Sequence, residues 1–182
     1  MSKNKQAAKS QVICFVGISG KPGVGGTLKP LSEETLSGKI ISNVEAKLRT
    51  ESRYSAIHRD NLVQDPPMKN GKLRYPTPSE MKSEWGAFEG RLAGLKSNVV
   101  ILLGGLVANF FREERTIRMV PCPFADGRLL KWAGIDESGA LVLAVAHPSY
   151  VGIYARKRVG EYAEIIFQTL QNSLQQQNPA QA

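Results

Sequence analysis

Three short segments of the sequence hold residues whose types and spacing could do chemistry. The first, GISGKPGVGGT at 17–27, follows the apolar run QVICFV, and glycine loops behind strands approach ligands closely, most often phosphates. The second, NLVQDPP at 61–67, offers an amide and a carboxylate. The third, HPSY at 147–150, places an imidazole, which can donate a hydrogen bond to developing charge, directly behind LVLAVA. A site built from them requires a fold that brings distant strand ends together.

The elements that must position these segments are short buried strands. Apolar runs typical of such strands lie at 12–16, 98–103, 141–146 and, more weakly, 117–120. Runs of this kind favour parallel strands buried on both faces. Parallel sheets bind ligands at the carboxyl ends of their strands. We therefore expect the site in the loops that begin at Gly17, Gly104 and His147.

Helical patterns alternate with the strands. The segment TPSE at 77–80 supplies a capping threonine, a proline suited to the first helical position and Glu80 to close a capping box. A single buried stripe follows, formed by Met81, Trp85, Phe88, Leu92 and Leu95. Two further helices are predicted at 34–48 and 158–170. The alternation predicts an α/β fold, a three-layer α/β/α sandwich around a mainly parallel, four-stranded sheet.

Composition limits the classes of protein that fit. The chain has 182 residues, is 42% apolar and carries a net charge of +8, which suits one globular domain. The pI near 9.6 is compatible with a polyanionic partner. The cysteines, Cys14 and Cys122, are too few for a four-cysteine metal or iron–sulfur site, so we predict no metal and no cofactor.

The two ends of the chain differ from its middle. We predict a flexible basic arm at 1–11, one folded domain at 12–172 and a disordered polar tail at 173–182. The start has no signal-peptide pattern, and no apolar run approaches the ~20 residues of a membrane span. The sequence therefore predicts a cytoplasmic protein that does not contact membranes.

The glycine loop alone leaves alternatives open. GKPGVGGT at 20–27 resembles the Walker pattern G-x-x-x-x-G-K-[ST], but Gly26 stands where the lysine belongs. Pro30 also follows soon after Thr27, where a helix should open. Lys21 could replace the missing lysine, which keeps a degenerate nucleotide-binding loop as one alternative. A plain glycine turn between strand and helix is another.

The better interpretation of the loop comes from its distant partners. In chain order, NLVQDPP, YPTPSEM, SNVVILLGGLVANFF and VAHPSY resemble the uracil-DNA glycosylase superfamily. They are most similar to its compact bacterial and archaeal family, whose usual members carry an iron–sulfur cluster. That family shows a G-E-x-P-G loop, an Asn-Val-Val segment ending in Pro-Pro, a T-P-x-E helix start, a strand ending in Leu-Gly-x-x-Ala and a final His-Pro-Ser. The resemblance covers about residues 12–172.

The resemblance implies a monomeric, monofunctional DNA glycosylase. Such an enzyme flips a pyrimidine out of double- or single-stranded DNA and hydrolyses its N-glycosidic bond, leaving an abasic site. His147 would donate a hydrogen bond to the departing base, and Asn61 would read its edge. Leu31 and Ile18 would line the base pocket, and Ser149 would contact a phosphate.

Further DNA contacts are implied on both sides of the pocket. After His147, Ile153 or Tyr154 would fill the vacated stack as an apolar wedge, with neighbouring basic side chains on phosphates. The implied DNA-binding residues are Gly17, Gly20, Lys21, Ser149, Tyr150, Ile153, Tyr154, Arg156, Lys157 and Arg158.

Two departures from the family concern its cluster and its acid. The cluster cysteines are absent, and Gln64 and Asp65 occupy the region of one of them. The water-activating acid of the first motif is also missing, since GIS offers only a serine, Ser19, which is a poor base near neutral pH. Either Ser19 and backbone carbonyls position the water, or an acid from elsewhere reaches the site. The candidates, of which the first two are preferred, are Glu33, Glu34, Asp60 and Asp65.

A third departure concerns the size of the pocket. The family usually stacks a phenylalanine on the base where this chain has Leu31, and glycines 23, 25 and 26 are additional. A roomier pocket predicts a substrate bulkier than uracil, such as a hydroxymethylated or glucosylated pyrimidine of phage DNA. Such a substrate indicates a role in antiviral defence, and DNA repair is the other role that the sequence leaves open. The alternative is a catalytically silent protein of the same fold that binds DNA or modified bases.

Overall fold

A central sheet of six strands organises the protein, whose computed structural model describes residues 10–51 and 54–177. In chain order the elements are β1 (Gln11–Ser19), β2 (Pro22–Gly23), β3 (Gly26–Thr27), α1 (Leu36–Leu48), β4 (Tyr54–Val63), β5 (Met68–Lys69), β6 (Lys72–Leu73), α2 (Pro78–Gly94), β7 (Val99–Leu103), α3 (Gly105–Glu114), β8 (Ile117–Val120), β9 (Leu130–Asp136), β10 (Leu141–Val145), α4 (Pro148–Tyr154), a 3₁₀ turn (Arg156–Arg158) and α5 (Val159–Gln177).

The sheet is mostly parallel, as predicted, but it is wider than predicted. The strand order is β4-β1-β7-β10-β9-β8, in which β4, β1, β7 and β10 pair in parallel, while β9 pairs antiparallel with both β10 and β8. The prediction of four strands is therefore wrong, because it did not include β4 and β9. The sequence of β4, YSAIHRDNLV, mixes polar and apolar residues, as an edge strand does. Strand β9 contains a glycine, Gly134, which weakens the strand pattern in the sequence. A Cβ at this position would lie 2.4 Å from Ile117 Cγ2 on β8.

Helices cover both faces of the sheet. Successive residues of β1 point to opposite sides, so that Phe15 packs in the cluster with α1, α4 and α5, whereas Cys14 and Val16 pack in the cluster with α2 and α3. This alternation explains why the central strands are continuously apolar. The predicted α/β class is confirmed, and the arrangement is compatible with three layers.

The predicted helices form near the expected boundaries. Thr77 and Glu80 make the reciprocal capping box of α2, and the stripe from Met81 to Leu92 is buried. Helix α1 begins after Thr35, whose side chain accepts the Gly38 N–H. Helix α5 continues through Gln177, so the first five residues of the predicted tail, 173–177, are helical.

The structure describes the two ends of the chain only in part. Strand β1 begins within the predicted arm, at Gln11, while residues 1–9 and 178–182 lie outside the described residues. Within the described ranges, none of the helices combines the length and the apolar character needed to cross a membrane.

Two small hairpins project from the carboxyl end of the sheet. Strands β2 and β3 fold the glycine loop back on itself, and the next helix starts only at Leu36. A phosphate-binding nucleotide loop needs a helix directly after it, and this segment has none. Strands β5 and β6 turn at Asn70 and Gly71, whose φ angles of 51° and 72° suit a tight hairpin turn.

Candidate functional site

A cavity of about 350 Å³ opens at the carboxyl ends of β1, β4 and β10. It brings together the three segments that the sequence singled out. The predicted site residues that line it are Gly17, Ile18, Ser19, Lys21, Leu31, Asn61, His147 and Ser149. Its other lining residues come from the segment before α1, from the first turn of α1 and from the end of the β5–β6 hairpin.

Asn61 reaches the cavity because its neighbour across the strand pair is a glycine. Gly17 pairs with Asn61 in the register of β1 and β4. A Cβ on Gly17 would lie 2.5 Å from Asn61 Oδ1, so a side chain at position 17 would displace the amide. The first glycine of the loop thus makes room for the amide.

The backbone of Asn61 is fixed, while its amide is available. Its carbonyl oxygen accepts hydrogen bonds from Gln64 Nε2 and Arg91 Nη2, both at 2.9 Å, and its N–H donates to Asp60 Oδ1 at 2.8 Å. The residue is only 4% exposed. Within the described part of the chain the side-chain amide makes no hydrogen bond, so it can donate to and accept from a ligand.

The imidazole of His147 is held in one tautomer. His147 caps α4, and its Nδ1 lies 2.6 Å from Ser149 Oγ and accepts the Ser149 N–H at 3.3 Å. Because Nδ1 accepts a backbone proton, the ring proton of the neutral imidazole sits on Nε2. The glycine behind the ring is Gly104, with φ 103°, where a Cβ would lie 3.2 Å from His147 Cβ. The predicted loop at Gly104 therefore supports the imidazole rather than lining the cavity.

Burial keeps this imidazole neutral. Desolvation, with a smaller contribution from the nearby Lys21 ammonium, lowers the pKa of His147 to about 4. At neutral pH the ring is an uncharged donor through Nε2. The site thus offers a hydrogen bond that strengthens as negative charge appears on the group it contacts.

The charged residues around the cavity are basic. Lys21, Lys29 and Arg74 line it, and among the described residues no carboxylate does. Arg74 is neutralised by Glu80, whose oxygens lie 2.7 and 2.5 Å from its two terminal nitrogens. The two lysines have no ion-pair partner in the described part of the chain.

The predicted acids do not line the cavity. Glu33 accepts a hydrogen bond from Ser42 Oγ at 2.6 Å and lines a neighbouring surface groove, which shares Lys29 and Ser32 with the cavity. Glu34 and Asp65 are exposed outside the cavity, and Asp60 is buried against Arg91 of α2 at 3.0 Å. Of the groups proposed to position a water, Ser19 alone lines the cavity.

The wall carrying Leu31 is fixed by a partly buried arginine that sequence reasoning missed. Leu31 has a φ of 50°, a left-handed conformation that costs energy for a residue with a Cβ. Arg59 Nη1 donates to its carbonyl oxygen at 2.6 Å, while Nε donates to Glu45 at 2.6 Å and Nη2 to Ser42 at 2.8 Å. This network ties β4, α1 and the pocket wall together.

Other lining residues were also missed. Leu73, Arg74 and Tyr75 reach the cavity from the β5–β6 hairpin, and the Tyr75 side chain is 75% exposed at its mouth. The Asn-Gly pair at 70–71 is the sequence signal that could have indicated the hairpin. The segment before and into α1 contributes Leu28, Lys29, Ser32, Thr35 and Ser37.

Several predicted glycines lie outside the cavity lining. Gly20 is buried, and a Cβ there would lie 2.0 Å from the Gln64 carbonyl oxygen. Gly23, Gly25 and Gly26 belong to the β2–β3 hairpin and its turn. They therefore do not enlarge the cavity, and the smaller Leu31 remains the basis for a roomy pocket.

The predicted DNA-binding segment after His147 is mostly helical. It forms α4 and the 3₁₀ turn, which line a second groove of about 450 Å³. Tyr150, Ile153 and Tyr154 are exposed there, and the two tyrosine rings lie 5.5 Å apart. Arg158 bonds to Glu161 and Asp126, each at 2.7 Å, and Arg156 Nε donates to the Gly152 carbonyl at 3.0 Å.

The cysteines are separated. Cys14 is in the core, where burial raises the pKa of its thiol to about 12, and Cys122 is partly buried. Within the described residues no group of three or more potential metal ligands comes together.

The comparisons with known proteins add no relative. The chain matches no model of a known protein family, and a search of curated proteins likewise gives no match.

Proposed function

We propose that the protein is a DNA glycosylase of the uracil-DNA glycosylase type, which flips a pyrimidine nucleotide into the cavity and hydrolyses its N-glycosidic bond. The observation that carries this proposal is the shared cavity of His147 and Asn61. These residues are far apart in sequence, yet each presents an unused hydrogen-bonding group to the same space. Base chemistry of this kind requires an enclosed pocket because the bond is unreachable inside the helical stack.

The chemistry follows from the two side chains. As the glycosidic bond breaks, negative charge moves onto the departing base, and the Nε2 proton of neutral His147 stabilises it. The Asn61 amide donates to one atom of the base edge and accepts from the next, which orients the ring. Leu31 supplies an apolar wall for the ring.

Hydrolysis in this proposal relies little on a general base. Since no carboxylate lines the described cavity, the attacking water is held by Ser19 and nearby backbone carbonyls. A sugar with oxocarbenium character is electrophilic enough to accept a weakly activated water, whose proton passes to the solvent or to the departed base anion. The negative charge that faces the sugar comes from the departing base and from the phosphates of the DNA.

The substrate we propose is bulkier than uracil. Leu31 is smaller than an aromatic residue, and a cavity of about 350 Å³ lies within the usual range for small-molecule pockets. A hydroxymethylated or glucosylated pyrimidine, as in phage DNA, would use this space. The biological role would then be antiviral defence.

Abasic-site formation tests the activity. Duplexes with one uracil, hydroxymethylated or glucosylated pyrimidine are incubated with wild type, His147→Ala and Asn61→Ala. Both variants should lose at least about a hundredfold in rate. His58→Ala is the matched control, since it removes the other histidine, on edge strand β4. Efficient release of uracil with no action on the larger bases would reject the bulky substrate.

A catalytically silent binder is the second candidate. It is favoured by one observation, the lack of a carboxylate among the described lining residues. Such a protein would leave every duplex intact while retaining affinity for DNA with modified bases. Equal binding by wild type and Asn61→Ala, without abasic sites, would exclude both candidates.

A further inference from the structure

One wall of the cavity holds a buried hydroxyl without a hydrogen-bond partner. Ser37 is 2% exposed and lines the cavity, and its Oγ makes no hydrogen bond in the described part of the chain. Buried polar groups are almost always paired, and an unpaired one lowers stability. An unpaired hydroxyl at this position therefore points to a ligand that accepts its hydrogen bond.

The hydroxyl lies in the first turn of a long helix. Helix α1 has 13 residues, and its first turn contains no acidic side chain. Thr35 already uses its hydroxyl, which donates to the Ser32 carbonyl at 2.8 Å and accepts the Gly38 N–H at 3.0 Å. The first amides of a helix lack intrahelical acceptors and carry the positive end of its dipole. Ser37 therefore adds an unused hydrogen-bond donor to the electropositive N-terminal end of α1.

Two lysines add positive charge to the same cavity. Lys21 and Lys29 line the same cavity, and neither has an ion-pair partner among the described residues. The third cation, Arg74, is already paired with Glu80. With no carboxylate among the described lining residues, the cavity attracts anions.

We propose that the start of α1 forms a subsite for a phosphate-type oxyanion, in which Ser37 Oγ donates to an anionic oxygen and Lys21 and Lys29 supply the charge. The phosphate belongs either to a bound DNA strand, which rests on the proposed function, or to a free mononucleotide, which does not. Neither source needs a metal ion.

Phosphate titration tests the subsite directly. Inorganic phosphate is titrated into wild type and Ser37→Ala by calorimetry, with its effect on thermal unfolding measured in parallel. Ser37→Ala should weaken phosphate binding at least about tenfold, as expected when a hydrogen bond to a charged group is lost. Its thermal stability without phosphate should be unchanged or higher, since an unpaired buried hydroxyl is removed.

Ser97→Ala is the matched control. Ser97 also has a buried, unpartnered Oγ, but it lies just before the amino end of β7, whereas the cavity lies at the carboxyl ends of the strands. It should bind phosphate like wild type. Equal phosphate affinity in wild type and Ser37→Ala, or no binding by wild type at millimolar phosphate, would overturn the subsite. Lys29→Ala should weaken binding with Ser37 intact.

Two further ligands distinguish the source of the phosphate. Thymidine monophosphate is compared with thymidine, and a short single-stranded oligonucleotide is titrated separately. Weaker binding of the oligonucleotide by Ser37→Ala assigns the subsite to a strand phosphate, whereas an effect confined to the monophosphate assigns it to a free nucleotide. Abasic-site assays on the same samples keep the two proposals apart, because phosphate binding without abasic sites would reject only the glycosylase.

Discussion

At the scale of single residues, the site depends on an imidazole that stays neutral. The Ser149 N–H and hydroxyl both face Nδ1 of His147, and burial opposes a positive charge on the ring. A protonated ring would lose Nδ1 as an acceptor and would lie near the Lys21 ammonium. The same contacts that orient the donor therefore make its protonation unfavourable.

The lowered pKa of His147 predicts how stability depends on pH. The pKa falls from 6.5 in the unfolded chain to about 4 in the fold, so between these values the unfolded state binds more protons. The free energy of unfolding should fall as pH drops from 7 to 4, by on the order of 3 kcal/mol from this group. Urea unfolding of wild type and His147→Gln at several pH values measures it. Parallel curves for the two proteins would contradict the expectation.

At the scale of elements, the wall of the cavity is held by Arg59 of β4. Its guanidinium joins the Leu31 carbonyl to Glu45 and Ser42 of α1. Arg59→Ala should destabilise the protein by about 3 kcal/mol, since it leaves a mostly buried carboxylate and carbonyl unpaired. Urea unfolding gives this value, and Arg49→Ala is the control because Arg49 is exposed and only 4.0 Å from the same carboxylate. A loss as small as that of the control would show that the network does not hold the wall.

The β5–β6 hairpin is the element that adds an aromatic surface to the cavity. Tyr75 is highly exposed at the mouth, where a base can stack on its ring. Tyr75→Ala should weaken DNA binding about tenfold, within the range for one base stacked on an aromatic side chain, and should leave the melting temperature unchanged. Val24→Ala, at the exposed tip of the other hairpin, is the control. Unchanged affinity in Tyr75→Ala would remove the hairpin from the proposed DNA interface.

Sequence patterns predicted elements where local signals were strong. The capping box at Thr77 and the apolar run of β7 were sufficient to place α2 and a central strand. Strand β4 was missed because its side chains vary in burial, and with it Arg59, whose role depends on contacts with residues 14 and 28 positions away. Ser37 gave no sequence signal, because an unpaired hydroxyl is visible only once the fold is known.

The prediction of acids near the site failed for a related reason. Glu33 and Glu34 are close in sequence to the Leu31 wall, but the turn into α1 directs them elsewhere, and Glu33 contacts Ser42. The convergence of the loops after β1 and β10 was expected, because parallel strands bring their carboxyl ends together. That Asn61 joins His147 there was expected only from the family resemblance, since β4 was not predicted. The end of the sheet that holds the site was thus predictable, while the direction of loop side chains was not.

At the scale of the whole molecule, the net charge of +8 should make the proposed DNA binding salt-dependent, but not every basic residue should contribute. Lys157 is exposed and has no ion-pair partner in the described chain, whereas Arg158 faces Asp126 and Glu161. Lys157→Ala should therefore reduce the slope of log affinity against log salt by about one, and Arg158→Ala by clearly less. Fluorescence anisotropy across salt concentrations measures both slopes. Equal reductions would mean that DNA displaces both carboxylates from Arg158. The ion pairs that Arg158 makes in the free protein would then not prevent it from contacting DNA.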